Sequence, residues 1–493
     1  MKKRSAYLAI DFGTSNVHAS VIDAETTRII VNTNKKYGWY YPAQNQVELH
    51  IDETWKASEW AVGEVIRQLP EDVELLAITF SYFGDSITPV DEKGEALYGM
   101  IPGFCGRSFK EVQTIGREIG ADTYAKITGN TLSTLATPSK IMWLRDNEPE
   151  VFKKAAGFYS NQQYVMRKLG LGDVQDRTMA ARKLMIDVKA NCWSAPILEL
   201  AGVTEQQLGT QIVESATVVG TIDHYGSVRL PRTLPVTIGC HDVSASLLSA
   251  GVQLENPDTI GVLMGTYEQM GYFSDTFVDG CNDFGDSLIF SCCYSSPFNN
   301  KYTVMDAFPT AGALLEWFCK NILRDPSADI GKLIADAKLD GTGSLMMLPY
   351  VENFHGAVVG MSLSTTTDEI FAAILESLAY QFVACVDYIR STREQPFTRL
   401  HFGGGGSRTD KLLQLRADLI QAPLGRMQNI ELPSLGACML AGLGNNWYAS
   451  VEDAAAHMGN PVSYFEPIPE NETKYAERYA KYKAISADYL RHY

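Results

Sequence analysis

The sequence predicts a mixed α/β protein of more than one domain, and three observations carry that expectation. Strand-like and helical patterns alternate through the N-terminal half, with candidate strands at 6–11, 17–22, 28–33, 75–81, 157–160 and 235–239. The 493 residues exceed what one hydrophobic core supports, and usual domain sizes point to roughly two to four units. A strand, a Gly-Thr turn and a returning strand occur once in each half, at Gly13-Thr14 and Gly265-Thr266, which suggests internal duplication.

The first of these hairpins reads Tyr7-Leu-Ala-Ile-Asp-Phe-Gly-Thr-Ser-Asn16 and returns as Val-His-Ala-Ser-Val-Ile. Gly13 lets the backbone approach a ligand, because no Cβ stands in the way. The N–H groups of the turn and the hydroxyls of Thr14 and Ser15 can hydrogen-bond phosphate oxygens. Asp11 is placed to hold Mg²⁺ directly or through water, since magnesium takes oxygen ligands and keeps several waters. An ordinary hairpin turn behind an acid is the alternative reading.

Thr54 to Leu69 predicts a helix with an acidic start and a stop before Pro70. Ser139 to Asp146 and Pro149 to Ala156 form a second helical region. Pro235 to Gly239 reads as a strand, Val243 to Ala250 as a small-residue helix ending at Gly251, and Thr259 opens a new strand system. The junction therefore falls at 245–255, giving domains 1–245 and 246–493. After strand Leu400-His-Phe402 comes a glycine turn, Gly403 to Gly406 and Ser407, then a helix through Leu412 to Ile420. That geometry sets backbone N–H groups beside a nucleotide, although the spacing and lysine of a P-loop are missing. Tyr475 to Tyr493 reads as an exposed amphipathic terminal helix.

A net charge of −16 argues against nucleic-acid and anionic-membrane partners, which need a basic footprint. It leaves room for an anionic small ligand at a local site. The basic start Met-Lys-Lys-Arg is followed by no secretory h-region. No stretch approaches the roughly 18 apolar residues of a membrane span. The nine cysteines are odd in number and scattered, without a Cys-x-x-Cys pair, which suits reduced, buried thiols in a cytoplasm.

Several segments, in order, resemble the FGGY carbohydrate kinases over nearly the whole chain. Asp11-Phe-Gly-Thr-Ser is similar to that family's first phosphate motif and Gly265-Thr266 to its second. Thr137-Pro-Ser-Lys-Ile-Met-Trp-Leu resembles its Pro-Lys-Leu-x-Trp-Leu segment. Gly239-Cys-His-Asp-Val-Ser-Ala-Ser resembles the motif carrying the catalytic base. Gly404-Gly-Gly-Ser-Arg-Thr-Asp, running on to Gln414, Ala417 and Asp418, resembles the adenosine motif, and Glu431-Leu-Pro-Ser-Leu-Gly-Ala the helix behind it. Phe80-Ser-Tyr-Phe-Gly-Asp, Cys105-Gly-Arg-Ser, the His before Asp242, Gly265-Thr-Tyr-Glu and Gly360-Met-Ser-Leu-Ser-Thr-Thr-Thr lean towards the L-fuculokinase and L-rhamnulokinase branch.

The resemblance implies an actin/hexokinase-type, ribonuclease H-like duplicated fold with a central cleft. Sugar would sit mainly on the N-terminal domain and ATP on the C-terminal one. It implies Asp242 as general base, within reach of the acceptor hydroxyl; a helix N-cap is its alternative reading. His241 would contact the substrate and not a metal, because no second His lies at helical spacing; a satisfied core histidine is the alternative. Asp11 would serve Mg²⁺. Gly13, Thr14, Ser15, Gly265, Thr266, Gly312, Gly404, Gly405 and Ser407 would serve the nucleotide and its phosphates. Asp85, Arg107 and Phe83 are candidate sugar contacts, with solvated charges or a core aromatic as alternatives.

Two departures bear on the substrate. The branch's aromatic-Gly-Val-Asp lacks its Val, so Asp85 stands one position early, and the Trp-x-Asp-x-Arg pattern at 103–107 keeps only Arg107. No lysine is evident at the phosphates, so turn N–H groups and the metal would stabilise their charge. The resemblance admits a homodimer and a cytoplasmic setting. An actin-fold ATPase without a sugar substrate and an inactive sugar sensor are the rival readings.

Overall fold

The computed structural model describes residues 3–255, 257–265, 267–278, 290–308, 311–339, 344–349, 356–393 and 395–491. Thr266 lies outside the described residues. In the first half, β1 (Arg4–Phe12), β2 (Asn16–Asp23) and β3 (Ile29–Lys36) form an antiparallel meander. Helix α1 (Ile51–Arg67) follows, then β4 (Val73–Tyr82), which lies parallel beside β1. The α1 start sits three residues ahead of the expected Thr54. Asp52 and Glu53 occupy its first turn, while Thr54 is buried inside it. Helices α2 (Thr137–Asn147) and α3 (Arg177–Ala181) come next, then β5 (Val218–Tyr225), β6 (Val228–Thr237) and the two-residue β7 (Cys240–His241). The sheet order is β5-β6-β4-β1-β2-β3, with β7 also pairing parallel to β4.

Helix α4 (Asp242–Ser249) leads to the second sheet, built from β8 (Thr259–Met264), β9 (Glu268–Ser274), β10 (Phe290–Ser295) and β11 (Tyr302–Phe308). Beyond α5 (Gly312–Asn321) and α6 (Thr367–Thr392) come β12 (Arg399–Gly403), α7 (Asp410–Ile420), β13 (Leu424–Met427), α8 (Leu432–Gly444), β14 (Val462–Phe465) and α9 (Glu472–Leu490). The order is β10-β11-β9-β8-β12-β13-β14. In both sheets an opening antiparallel hairpin is extended by a third antiparallel strand on one side, and on the other a later strand lies parallel to the hairpin's first. Gly13 and Gly265 thus occupy equivalent places in two sheets of one plan.

Helices α4 and α8 pack against each other between the sheets. A Cβ on Gly436 would fall 1.8 Å from the Ala245 carbonyl oxygen, so the glycine of α8 is what lets the two backbones touch. Thr79 of β4 donates to the Ala437 carbonyl at 3.2 Å, which fastens α8 to the first sheet.

Two elements differ from the sequence expectation. Helix α6 is long and apolar enough to cross a bilayer, yet 78% of its apolar window is buried inside the protein, as befits a core helix. The terminal helix α9 is docked: Tyr475 and Tyr482 are buried, and Tyr482 packs on Tyr380 of α6 with ring centroids 4.9 Å apart.

Candidate active site

Parallel strands end together, and their carboxyl ends gather the chemistry. Ser81 of β4 stands opposite Asp11 of β1 on one side and Cys240 of β7 on the other. Its hydroxyl donates to Asp11 Oδ1 at 2.5 Å. Burial raises the Asp11 pKa and Glu431 adds to this, while Ser81 and His18 oppose. Thr14 and Ser15 are exposed at the turn, and the Tyr37 hydroxyl donates to the Gly13 carbonyl. Among the described residues no group of three or more His, Cys, Asp or Glu is arranged to hold a metal. A lone carboxylate such as Asp11 still suits magnesium, which commonly takes one or two protein carboxylates plus substrate phosphates and water.

Asp242 opens α4 directly after β7. Its Oδ1 accepts the Val243 N–H at 2.7 Å and lies 3.2 Å from His241 Nε2. Burial, then the nearby Asp11 charge, pushes its carboxyl up to about 7; Asp85 adds, and the Val243 N–H and Arg182 oppose. His241 is 4% exposed, and both ring nitrogens are engaged: Nε2 with Asp242, and Nδ1 at 2.9 Å from the Tyr294 hydroxyl. Its backbone N–H donates to Thr178 Oγ1 at 2.8 Å. Burial, aided by Arg182, holds the His241 pKa well below the ordinary imidazole range, so the ring is neutral.

The remaining sugar candidates are all largely covered and differ in their partners. Asp85 follows β4 at φ 57°, a left-handed conformation that Asp tolerates better than most residues. Its Oδ2 accepts from Arg182 at 2.5 Å, and its Oδ1 is buried without a hydrogen-bond partner. Phe83 is buried in the hydrophobic core of the first sheet. The Arg107 guanidinium is wholly covered. It pairs with Glu48 at 2.9 Å, donates to Cys105 Sγ and the Val47 carbonyl, and lies over the Trp143 ring.

In the second half three segments converge. The Gly312 N–H, opening α5, donates to the Gly265 carbonyl at 3.3 Å. A Cβ on Gly404 would stand 2.5 Å from the carbonyl oxygen of Met264, the residue before Gly265. Gly405 is exposed, whereas Ser407 is buried with its hydroxyl donated to the Gly404 carbonyl at 2.7 Å. Asp418 is spent on Gln414, Ile468 and Asn471, which anchor the C-terminal segment.

Sequence reasoning missed Arg182 and Tyr294, and it quoted Lys140 in the Thr137–Leu144 segment without giving it a role. Arg182 bonds Asp85 and Asn130 and sits over the Tyr294 ring at 5.0 Å. Lys140 is buried, donates to the Thr134 and Leu135 carbonyls, and is pushed down to about 8 by burial. The available signal was a pair of cations, Arg182-Lys183, inside the apolar run from Met179 to Ile186.

Comparison with known proteins bears on the family and the fold. The profile of the FGGY family of carbohydrate kinases, N-terminal domain, matches residues 6–249, and that of the C-terminal domain matches residues 286–444. The chain is 25% identical over 480 residues to a glycerol kinase of Desulforamulus reducens, covering 92% of each chain. It is 24% identical over 497 residues to a xylulose kinase of Lactococcus lactis, covering 97% of this chain and 96% of that one. An L-fuculokinase of Escherichia coli is 24% identical over 489 residues, covering 95% and 99%. Among solved structures, a xylulose kinase from Brucella ovis superposes with a TM-score of 0.83 at 21% identity over 97% of this chain and 98% of that one. Plasmodium falciparum glycerol kinase with ADP also gives 0.83, at 19% identity over 98% of each chain. These structural likenesses establish the two-domain actin/hexokinase-type fold. With both family profiles matched in order across its two sheets, the chain belongs to the FGGY family of carbohydrate kinases.

Proposed function

We propose that this chain transfers the terminal phosphoryl group of ATP to a hydroxyl of a ketose or related polyol, with Asp242 as general base. The observation that carries the reading is the Asp242 carboxylate itself, at the mouth of α4 and pushed up to about 7. A base poised near the working pH combines a useful ionised fraction with proton affinity. Asp242 Oδ1 accepts the Val243 N–H and lies beside His241 Nε2, which leaves Oδ2 to take the acceptor proton. Asp11 would hold Mg²⁺, and Mg-ATP supplies the phosphoryl group and the cation that balances its charge.

Residues 1–245 would bind the acceptor and 246–493 the nucleotide. Gly13, Thr14 and Ser15 would face the phosphates from the first sheet, and Gly265, Thr266 and Gly312 from the second. Gly404, Gly405 and Ser407 would shape the adenosine loop. Asp85, with its unpartnered Oδ1, is the best placed acceptor contact. Arg107, Phe83 and His241 would act through packing and orientation. The relatives are named for sugars and polyols, and one solved neighbour is the Plasmodium falciparum glycerol kinase with ADP, which supports this substrate class. Seven of the eight described cysteines are buried, in keeping with reduced thiols in a cytoplasmic setting.

The test is ADP release from Mg-ATP with a panel of L-fuculose, L-rhamnulose, D- and L-xylulose, L-ribulose, erythritol and glycerol. Release that depends on one acceptor supports the proposal. Release that is equal with and without every acceptor supports an ATPase and overturns it.

A further inference from the structure

A neutral histidine has one ring proton to share between two neighbours. His241 has an acceptor-only carboxylate at Nε2, Asp242 at 3.2 Å, and a phenol at Nδ1, Tyr294 at 2.9 Å. The ionised form of Asp242, the one that can act as a base, favours one assignment. With Asp242 ionised, a proton on Nε2 faces the carboxylate oxygen and leaves Nδ1 to accept from the Tyr294 hydroxyl, which also lies 3.4 Å from Ser244 Oγ. Tyr294 is fully buried and is itself held in place. Arg182 covers its ring at 5.0 Å, and Arg182 is fixed by Asp85, by Asn130 at 2.9 Å and by Cys292 Sγ at 3.7 Å. Asp242 and His241 belong to the end of the first sheet, whereas Tyr294 stands on β10 of the second.

Resting on the kinase reading above, we infer that Tyr294 is a positioning residue that acts through His241. Its hydroxyl fixes the imidazole tautomer, the imidazole fixes Asp242 Oδ1, and Oδ2 is left aimed for the acceptor proton. Because the donor comes from the other sheet, the base is fully oriented only when the two sheets are docked. Neither Tyr294 nor Arg182 belongs to a motif that the sequence singled out, so the relay is a property of the packing.

Two measurements on the full chain test it. The first is ¹⁵N NMR of histidine-labelled protein, with His241 assigned by comparison with His241→Ala. The Nε2–H tautomer is expected in the wild type, and an Nδ1–H tautomer would overturn the inference whether or not any variant folds. The second is a double-mutant cycle in kcat. Tyr294→Phe is expected to lower kcat about tenfold, less than the roughly 10²–10⁴-fold ascribed to an acid–base group itself because Tyr294 only positions it, with both KM values within about twofold of wild type. In a His241→Ala background the same change should be silent. Equal losses in both backgrounds would mean that Tyr294 does not act through His241. If no acceptor supports turnover, the kinase reading falls, while the tautomer measurement still decides the relay.

Discussion

In the proposed role Asp242 works as an ionised carboxylate, and burial pushes its carboxyl up to about 7. Protonation below that pH removes the base, so kcat/KM should fall on the acid side of about pH 7, approaching tenfold per pH unit. A profile flat from pH 5.5 to 8 would exclude Asp242 as the base. Asp242→Asn keeps the size and removes the proton acceptor. It should cost about 10²–10⁴ in kcat while ATP affinity, read by calorimetry, stays within a few-fold. Asp85→Ala should act on stability as well as on the acceptor KM. It strands the Arg182 guanidinium, 2% exposed, beside Tyr294. Removing one partner of a buried pair costs about 3–5 kcal/mol, which urea denaturation would register. At this scale the sequence was readable where chemistry is local. Asp11, Gly13, Thr14, Ser15 and Asp242 each sit in a short contiguous motif, and the fold sets them at strand ends or turns. It was unreadable where a partner is distant. The two neighbours that claim the His241 ring lie at positions 242 and 294, and only the first is visible from sequence. Arg107 is spent on Glu48, 59 positions away, a pairing that needs the loop before α1 to fold over it.

The glycine loop after β12 depends on a backbone that other residues cannot copy. Gly404 has φ 81°, and its missing Cβ is replaced by the Met264 carbonyl at 2.5 Å. Gly404→Ala therefore forces the loop away from β8, the strand that runs into Gly265. Strain of this kind costs on the order of 1–3 kcal/mol. The KM for ATP should rise about tenfold or more with the acceptor KM unchanged; equal rises in both would place the loop elsewhere in the reaction. Behind it, Arg416 of α7 grips Glu268 of β9 through two bonds of 2.6 and 2.8 Å, both side chains nearly sunless at 1% and 2% exposure. This pair ties the strand beyond the second Gly-Thr turn to the helix beyond the glycine loop. Arg416→Met alone should lose about 3–5 kcal/mol, and Glu268→Leu with Arg416→Met should regain most of it, because a buried pair is costly chiefly when broken. The repeated strand–turn–strand pattern made the two sheets legible, since period and turn chemistry are local signals. The docking of α9 on Tyr380 was not, because an amphipathic stripe does not say which surface it will cover.

The two halves meet across more than the α4–α8 pair. Gly129 closes the helix Ala121–Thr128 in a left-handed conformation at φ 67°, and the chain then runs beside β10, the edge strand of the second sheet. Cys293 N–H donates to the Gly129 carbonyl at 2.8 Å, and Asn130 bridges Cys292. A segment of the first half thus covers an edge that would otherwise present open hydrogen-bonding groups. The fit admits nothing larger, since a Cβ on Gly129 would lie 1.7 Å from the Cys293 carbonyl oxygen. Gly129→Ala must therefore either unwind its helix end or lift β10 away. Lifting β10 also withdraws Tyr294 from His241 and Cys292 from Arg182. The expected result is a joint loss: roughly 2–4 kcal/mol of stability from the strained, undocked backbone, and a drop in kcat larger than that of Tyr294→Phe. ATP affinity should hold within about threefold, because Gly265, Gly312 and the Gly404 loop stand apart from this contact. Urea denaturation, steady-state kinetics and ATP titration on the one variant separate the outcomes. Lost stability with an unchanged kcat would show that the edge contact only holds the halves together. Loss of both with nucleotide binding intact would show that docking of the second sheet is what readies the base on the first.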